Sequence, residues 1–191
     1  ALFDVDEDVV RKYRECVDSG RAGQMADMVL RSLKSGDRIF FTGCGSTGRL
    51  SILLVSIWRD FWQQRRCNRC DEAKTHEPGA PLETAHSHGS CGEEDWEHRA
   101  NAVMAGGDYA LIKAVEGFED YTEFGKKQIG DLGVCNQDVV FAITEGGETS
   151  FVIGTALQGV EVGAKVFFVY NNPDEILCEQ VQRSREVIRD C

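Results

Sequence analysis

The chain has 191 residues, 42% of them hydrophobic and 28% charged, with a formal net charge of −11 and a sequence pI of about 4.8. These values are typical of a globular domain, and without a cluster of Lys and Arg they argue against nucleic-acid binding. No apolar run approaches the ~20 residues of a membrane span and no signal-peptide pattern is present, so we expect no membrane partner. Dispersed cysteines favour reduced thiols and a cytoplasmic location.

The first third of the chain predicts helices that lead into a buried strand. Apolar residues at helical spacing from Val9 to Leu33, interrupted at Ser19-Gly20, predict two helices or one broken helix. After a turn at Gly36-Asp37, the apolar run Arg38–Phe41 is typical of a buried parallel strand. Helical spacing then resumes from Leu50 to Gln64.

Two further cycles of strand, loop and helix follow in the second half. Asp138–Thr144 predicts a strand, and a glycine-containing loop separates it from a helix over 151–164. Lys165–Tyr170 begins the third cycle, which a turn and a polar helix complete. Three such cycles predict an α/β fold with a parallel sheet and helices on both faces.

Residues 65–99 interrupt this order with a segment rich in Cys, His, Glu, Gly and Pro, which we interpret as a surface insertion. Its Cys67, Cys70, His88 and Cys91 have the spacing of a four-ligand zinc site. The irregular second pair and the composition of the segment favour a disordered loop instead. We therefore predict no metal and no cofactor.

The loop after the first strand has the composition of an anion-binding turn. Glycines allow a tight turn and close approach to a ligand, hydroxyls donate hydrogen bonds, and the following helix offers free N–H groups. A plain strand-to-helix turn is the alternative. A Walker loop is excluded because no Lys-Ser/Thr pair follows the last glycine, and the dinucleotide fingerprint is a poor match. The candidate ligand-binding residues here are Gly43, Gly45, Ser46, Thr47 and Gly48.

A second loop holds the equivalent place after the next strand. Loops at the carboxyl ends of parallel strands meet in one crevice, where open α/β sheets bind ligands. The candidate residues of this loop are Gly146, Gly147, Glu148 and Thr149.

Three stretches in order, "GCGSTGRL", "MAGGDYALIKAVEGFED" and "DVVFAITEGGETSFVIGTAL", resemble the SIS (sugar isomerase) domain family. The likeness is closest to the branch of N-acetylmuramic acid 6-phosphate etherases and glucokinase regulatory proteins. It implies a three-layer α/β/α sandwich with a flavodoxin-like parallel sheet and a phosphorylated sugar as ligand. The hydroxyls of Ser46 and Thr47 would contact the phosphate. The segments facing the sugar would contribute Gly106, Gly107, Glu116 and Glu119.

Two departures from the etherases favour a regulatory or sensing role over catalysis. The position that matches the etherase acid is Ile57, which cannot donate a proton. In the second loop, a Ser-Gly-Arg-Thr-like run is replaced by Gly146 to Thr149, so that Glu148 stands where a basic residue is expected. A lyase or isomerase that uses Glu119 as base is the alternative, and a pure interaction module is a third possibility.

The resemblance also bears on domain organisation. It implies that residues 1–191 form a single SIS domain that lacks the family's last strand, with the insertion inside it. An uncovered sheet edge or apolar helix face favours association. We therefore expect a homodimer or pairing with a second SIS-like half.

Overall fold

The computed structural model describes residues 2–74, 96–115 and 117–191, with side chains described from residue 6 to 66 and from 96 onward apart from residue 116. The helices are α1 (Leu2–Asp18), α2 (Arg21–Lys34), α3 (Gly45–Lys74), α4 (Tyr109–Ile112), α5 (Thr122–Asp131), α6 (Ser150–Val162), α7 (Asp174–Gln180) and α8 (Gln182–Asp190). The strands are β1 (Ile39–Gly43), β2 (Ala100–Met104), β3 (Val139–Ile143) and β4 (Lys165–Val169). Short 3₁₀ turns cover Trp96–His98 and Phe118–Asp120.

In the described part of the chain, four strands form one parallel sheet in the order β2-β1-β3-β4. This is the order of the first four strands of a flavodoxin-like sheet. Right-handed crossovers put α3 on one face and α5 and α6 on the other. In agreement, α3 packs on β1 and β2, while α6 packs on β1, β3 and β4 and against α5. The predicted three-layer α/β/α fold is confirmed.

The main core lies between the sheet and the α5–α6 layer. Its fully buried members include Phe40 and Val140 from the strands, Ile129 from α5, and Phe151 and Ile153 from α6. Fully burying one such side chain stabilises the fold by roughly 1.5–3 kcal/mol, so this cluster is the main source of stability for the sheet.

Two contacts fix α6 relative to its neighbours. The hydroxyls of Thr42 and Thr155, both fully buried, share a hydrogen bond of 2.7 Å between β1 and α6. Helices α5 and α6 cross at Gly125 and Gly154, where an added methyl group would overlap the carbonyl oxygens of Phe151 and Thr122 respectively. Only glycine permits this close approach.

The structure differs from the predictions at β2, which the sequence pattern left unassigned. Its five residues, ANAVM, include small and polar side chains and carry little β-branched signal. Tertiary contacts bring the chain back to the sheet here. Trp58 Nε1 on α3 donates to the carbonyl of Trp96 at 2.7 Å, and the Trp96 ring packs edge-on against Trp62 at 4.9 Å between centroids.

Other observed element boundaries also differ from the predicted ones. Helix α3 begins at Gly45 rather than Leu50 and extends to Lys74, ten residues beyond the predicted end and into the predicted insertion. The polar C-terminal helix divides into α7 and α8 at Val181, which is extended. No helix in the described residues is long and apolar enough to cross a membrane.

One face of α3 presents apolar side chains to solvent. Leu50, Leu53, Leu54, Ile57 and Phe61 follow helical spacing and are 40–62% exposed. A stripe of this kind usually packs against another element or another chain.

Candidate functional site

The segments predicted to bind a ligand follow three adjacent strand ends. Gly43 ends β1 and is paired with Met104, the last residue of β2, and the amide of Ala105 donates to the carbonyl of Gly43 at 3.1 Å. On the other side, β1 is paired with β3, which ends at Ile143. Because parallel strands lie about 4.8 Å apart, the first loop, the Gly106-Gly107 segment and the second loop share one edge of the sheet.

The first loop (residues 43–48) closes on itself. Gly43 and Gly48 are buried, and a methyl group on Gly43 would lie 2.8 Å from the backbone nitrogen of Gly48. The Gly48 amide donates to the carbonyl of Cys44 at 3.1 Å, while Gly45 is exposed and has a left-handed φ of 53°. Gly43 and Gly48 thus serve the turn itself.

The hydroxyls of Ser46 and Thr47 are available at the start of α3. Ser46 is exposed and Thr47 is half-buried, and neither hydroxyl has a hydrogen-bond partner among the described residues. They stand at a helix N-terminus, where free backbone N–H groups and the helix dipole favour an anion. This combination can bind a phosphate without a basic side chain.

Glu119 is held at the first loop by a residue that sequence reasoning missed. The Cys44 thiol donates to Glu119 Oε2 at 3.2 Å. Burial raises the pKa of Cys44 to about 12, and the hydrogen bond to Glu119 and the negative charge of Glu119 act in the same direction. The thiol therefore remains a donor at neutral pH. The position of Cys44 between two loop glycines was the sequence feature that could have indicated this contact. Glu116, the other predicted carboxylate, lies outside the described residues.

Of the two glycines after β2, only Gly106 is packed. It has a φ of 81°, and an added methyl group would lie 3.1 Å from Val115. Gly107 has a φ of 64° and open space around it. Gly107 is therefore the member of this pair that a ligand could approach closely.

The backbone of the second loop (residues 144–149) is held by side chains that come later in the chain. Asn172 Nδ2 donates to the carbonyl of Gly146 at 2.9 Å, and the buried Ser184 Oγ donates to that of Gly147 at 2.7 Å. Arg183 Nε donates to the carbonyl of Glu148 at 2.9 Å. The sequence spacing of these residues did not indicate that they hold the second loop, because this role depends on where the later part of the chain packs.

The predicted residues of the second loop differ in accessibility. Gly147 is buried with a φ of 84°, and an added methyl group would lie 2.5 Å from Leu177 Cδ1. Gly146 is half-buried, and the Glu148 side chain is exposed and folds back toward it. The Thr149 hydroxyl shares a hydrogen bond of 3.0 Å with Thr144. This loop thus offers fewer free polar groups than the first.

One group of described residues has metal-ligand chemistry, at the opposite end of the sheet. Ligand atoms of Asp37, Cys135 and Asp138 lie within 4.8 Å of one another. Asp138 is already bound by the backbone amide and guanidinium of Arg38 and by the Cys135 amide, at 2.9–3.0 Å. We interpret this group as a structural link between strand ends.

The predicted zinc pattern cannot be assigned from geometry. His88 and Cys91 lie outside the described residues, and Cys67 and Cys70 fall where α3 is described without side chains. A wide concavity elsewhere is lined by α1 residues alone, including Val10 and Arg14, and so belongs to no predicted site.

The chain resembles proteins of known family. Residues 85–160 match the family model described as the glucokinase regulatory protein N-terminal SIS domain. An N-acetylmuramic acid 6-phosphate etherase from Thermosynechococcus vestitus is 31% identical over 155 residues, covering 81% of this chain and 39% of that protein. The etherase from Clostridioides difficile is 28% identical over 162 residues, covering 85% and 43%. The chain spans about half or less of the length of these curated relatives.

Among solved structures, a phosphoheptose isomerase from Neisseria gonorrhoeae superimposes with a TM-score of 0.49 and 13% identity, over 98% of this chain and 97% of that one. A likeness at this score supports no functional inference. The motifs and the sequence matches agree with one another. They confirm the predicted resemblance: over part of its length the chain is similar to SIS domains of the glucokinase regulatory protein type and to N-acetylmuramic acid 6-phosphate etherases.

Proposed function

We propose that this SIS domain binds a phosphorylated sugar and acts in regulation or sensing. One observation carries the proposal: the hydroxyls of Ser46 and Thr47 have no partner among the described residues and stand at the N-terminus of α3. Both residues come directly after the end of β1, which is paired with β2 and β3. Hydrogen bonds from hydroxyls and free amides to a charged acceptor contribute roughly 1.5–3 kcal/mol each, which is enough to hold a phosphate dianion.

The position of Ile57 supports binding over etherase chemistry. Ile57 lies on the exposed stripe of α3, twelve residues after Gly45 and so about 18 Å along the helix axis. Even a carboxylate there would lie far from Glu119 within one chain. Eliminating a lactyl ether takes a base and an acid placed together.

Thermal unfolding and calorimetry with a panel of ligands would test this proposal. The panel includes glucose 6-phosphate, fructose 6-phosphate, N-acetylglucosamine 6-phosphate and N-acetylmuramic acid 6-phosphate, each paired with its unphosphorylated sugar. We expect at least one phosphorylated sugar to raise the midpoint of unfolding while its unphosphorylated partner does not, and no ligand to be consumed. No shift with any of the phosphates would instead favour a pure interaction module.

The alternative function is that of a sugar-phosphate lyase or isomerase. The Cys44–Glu119 contact favours it, because it holds a carboxylate beside the loop proposed to bind the phosphate, where a base could reach a sugar carbon. Loss of substrate over time, abolished in Glu119→Gln with binding retained, would establish this activity in place of a purely regulatory role.

We also propose that the domain pairs with a second copy or a second SIS-like half. The exposed apolar stripe on α3 supports this, since a contiguous row of five such side chains is unusual on a monomer surface. Light scattering over a dilution series would reveal a dimer, and a monomer at all concentrations would contradict the proposal. The free cysteines in the described residues, Cys44 and Cys135 among them, support a cytoplasmic location.

A further inference from the structure

The second loop carries negative side chains at a place proposed to bind a negative ligand. Glu145 and Glu148 are both exposed there, and the loop itself has no basic residue. Two like charges near a phosphate oppose its binding by electrostatic repulsion. A cation from another element would offset this repulsion.

Arg183 reaches the second loop from the first turn of α8. Its Nε donates to the carbonyl of Glu148 at 2.9 Å, which attaches the guanidinium to the residue that carries the unfavourable charge. Neither terminal nitrogen has an acceptor among the described residues, and Arg183 forms no ion pair there. The side chain is exposed, so both terminal nitrogens can meet a ligand.

The surface around Arg183 is concave and polar. Arg183 lines it together with Gln180, Val181, Gln182 and Glu186, at the junction of α7 and α8. Gln182 Nε2 already donates to Glu186 Oε1 at 3.3 Å, which occupies one oxygen of that carboxylate. The guanidinium is thus the cationic group of this recess, and its Nε bond to the Glu148 carbonyl links it to the second loop.

We propose that Arg183 supplies the positive charge of the binding site, fixing the second loop through Nε and contacting the phosphate of the bound sugar through its terminal nitrogens. A planar guanidinium suits this task because its donors match phosphate oxygens in pairs. The inference rests on the proposed sugar-phosphate function and deepens it. It makes α8 a wall of the site.

The test compares Arg183→Gln with Arg185→Gln in the full chain. Arg185 is a matched control on the same helix, exposed like Arg183, but its donors are directed at the carbonyls of Cys178 and Glu179, away from the loop. The probes are inorganic phosphate and the tightest sugar phosphate of the panel, titrated by calorimetry at low and high salt. Hydrogen exchange of residues 144–150 is measured without ligand.

We expect Arg183→Gln to weaken binding of both probes at least 10-fold at low salt and to speed exchange in the second loop. Arg185→Gln should change either quantity less than 2-fold. Arg183→Lys should recover part of the affinity, because lysine keeps the positive charge but lacks the paired donors of the guanidinium. Equal affinities for the two Gln variants would overturn the role of Arg183 while leaving the proposed function intact. A parent chain that binds no phosphate would overturn both.

Discussion

The two loops of the candidate site are built in different ways. The first loop is held by contacts within six residues, between Gly43, Cys44 and Gly48, and by one hydrogen bond from the Cys44 thiol to Glu119. The second is held by side chains that come 26 to 37 residues later in the chain, from Asn172, Arg183 and Ser184. The first loop is therefore a local turn with free hydroxyls. The backbone of the second loop is instead positioned by side chains distant in sequence.

This contrast separates the effects that a mutation can have. Removing the hydroxyls of Ser46 and Thr47 from the first loop should alter ligand binding with little effect on folding, because these hydroxyls have no partner in the described structure. Changes in the second loop should disturb the packing of α7 and α8 as well.

The largest effect is expected for Gly147→Ala. Ala at a φ of 84° costs about 1–2 kcal/mol and overlap with Leu177 adds about 1–3 kcal/mol, so the free energy of unfolding should fall by about 2–5 kcal/mol. Gly107→Ala is the matched control, since Gly107 also has a left-handed φ but open space around it, and should cost only about 1–2 kcal/mol. Urea denaturation of both variants measures the difference, and equal losses would mean that the loop does not pack tightly on α7.

A smaller effect, confined to binding, is expected for Ser46→Ala combined with Thr47→Ala. Losing two hydrogen bonds to a phosphate should weaken sugar-phosphate binding by about 2–3 kcal/mol, after partial compensation by backbone donors. Thr149→Ala in the second loop should weaken it less, because that hydroxyl is already bonded to Thr144. Calorimetry with the sugar phosphate of the panel that binds most tightly measures the affinity of each variant. Unchanged affinity in the double variant would mean that the first loop is only a strand-to-helix turn.

The smallest effect concerns the pH dependence of stability through Cys44. The folded thiol has a pKa of about 12 against an ordinary value of 9.0, so it keeps its proton while the unfolded thiol loses one. Its contribution to stability is complete below about pH 9 and is lost as the pH rises toward 12. The parent should therefore lose more unfolding free energy than Cys44→Ser between about pH 8 and about pH 10.5. Parallel pH profiles would contradict burial of the thiol.

Much of the architecture was predictable because it depends on local patterns. The apolar runs that became β3 and β4 were located to within one residue at each end, because each is a continuous apolar stretch. Most of β3 is buried, whereas β4, at the edge of the sheet, is only partly buried. The first loop was predictable for the same reason: glycines and hydroxyls between a strand and a helix allow few conformations. β2 was missed because its ANAVM run becomes a strand only when paired to β1.

The sequence by itself determined the fold class, the two loops and the family resemblance, because apolar periodicity, glycine spacing and motif order each depend on short stretches of the chain. Only the tertiary structure decided which groups surround those loops. Cys44 meets Glu119 from 75 residues away, and Arg183 meets Glu148 from 35 residues away. Such contacts depend on how helices pack across the sheet, and packing is set by the combined fit of many side chains that no single stretch of sequence contains.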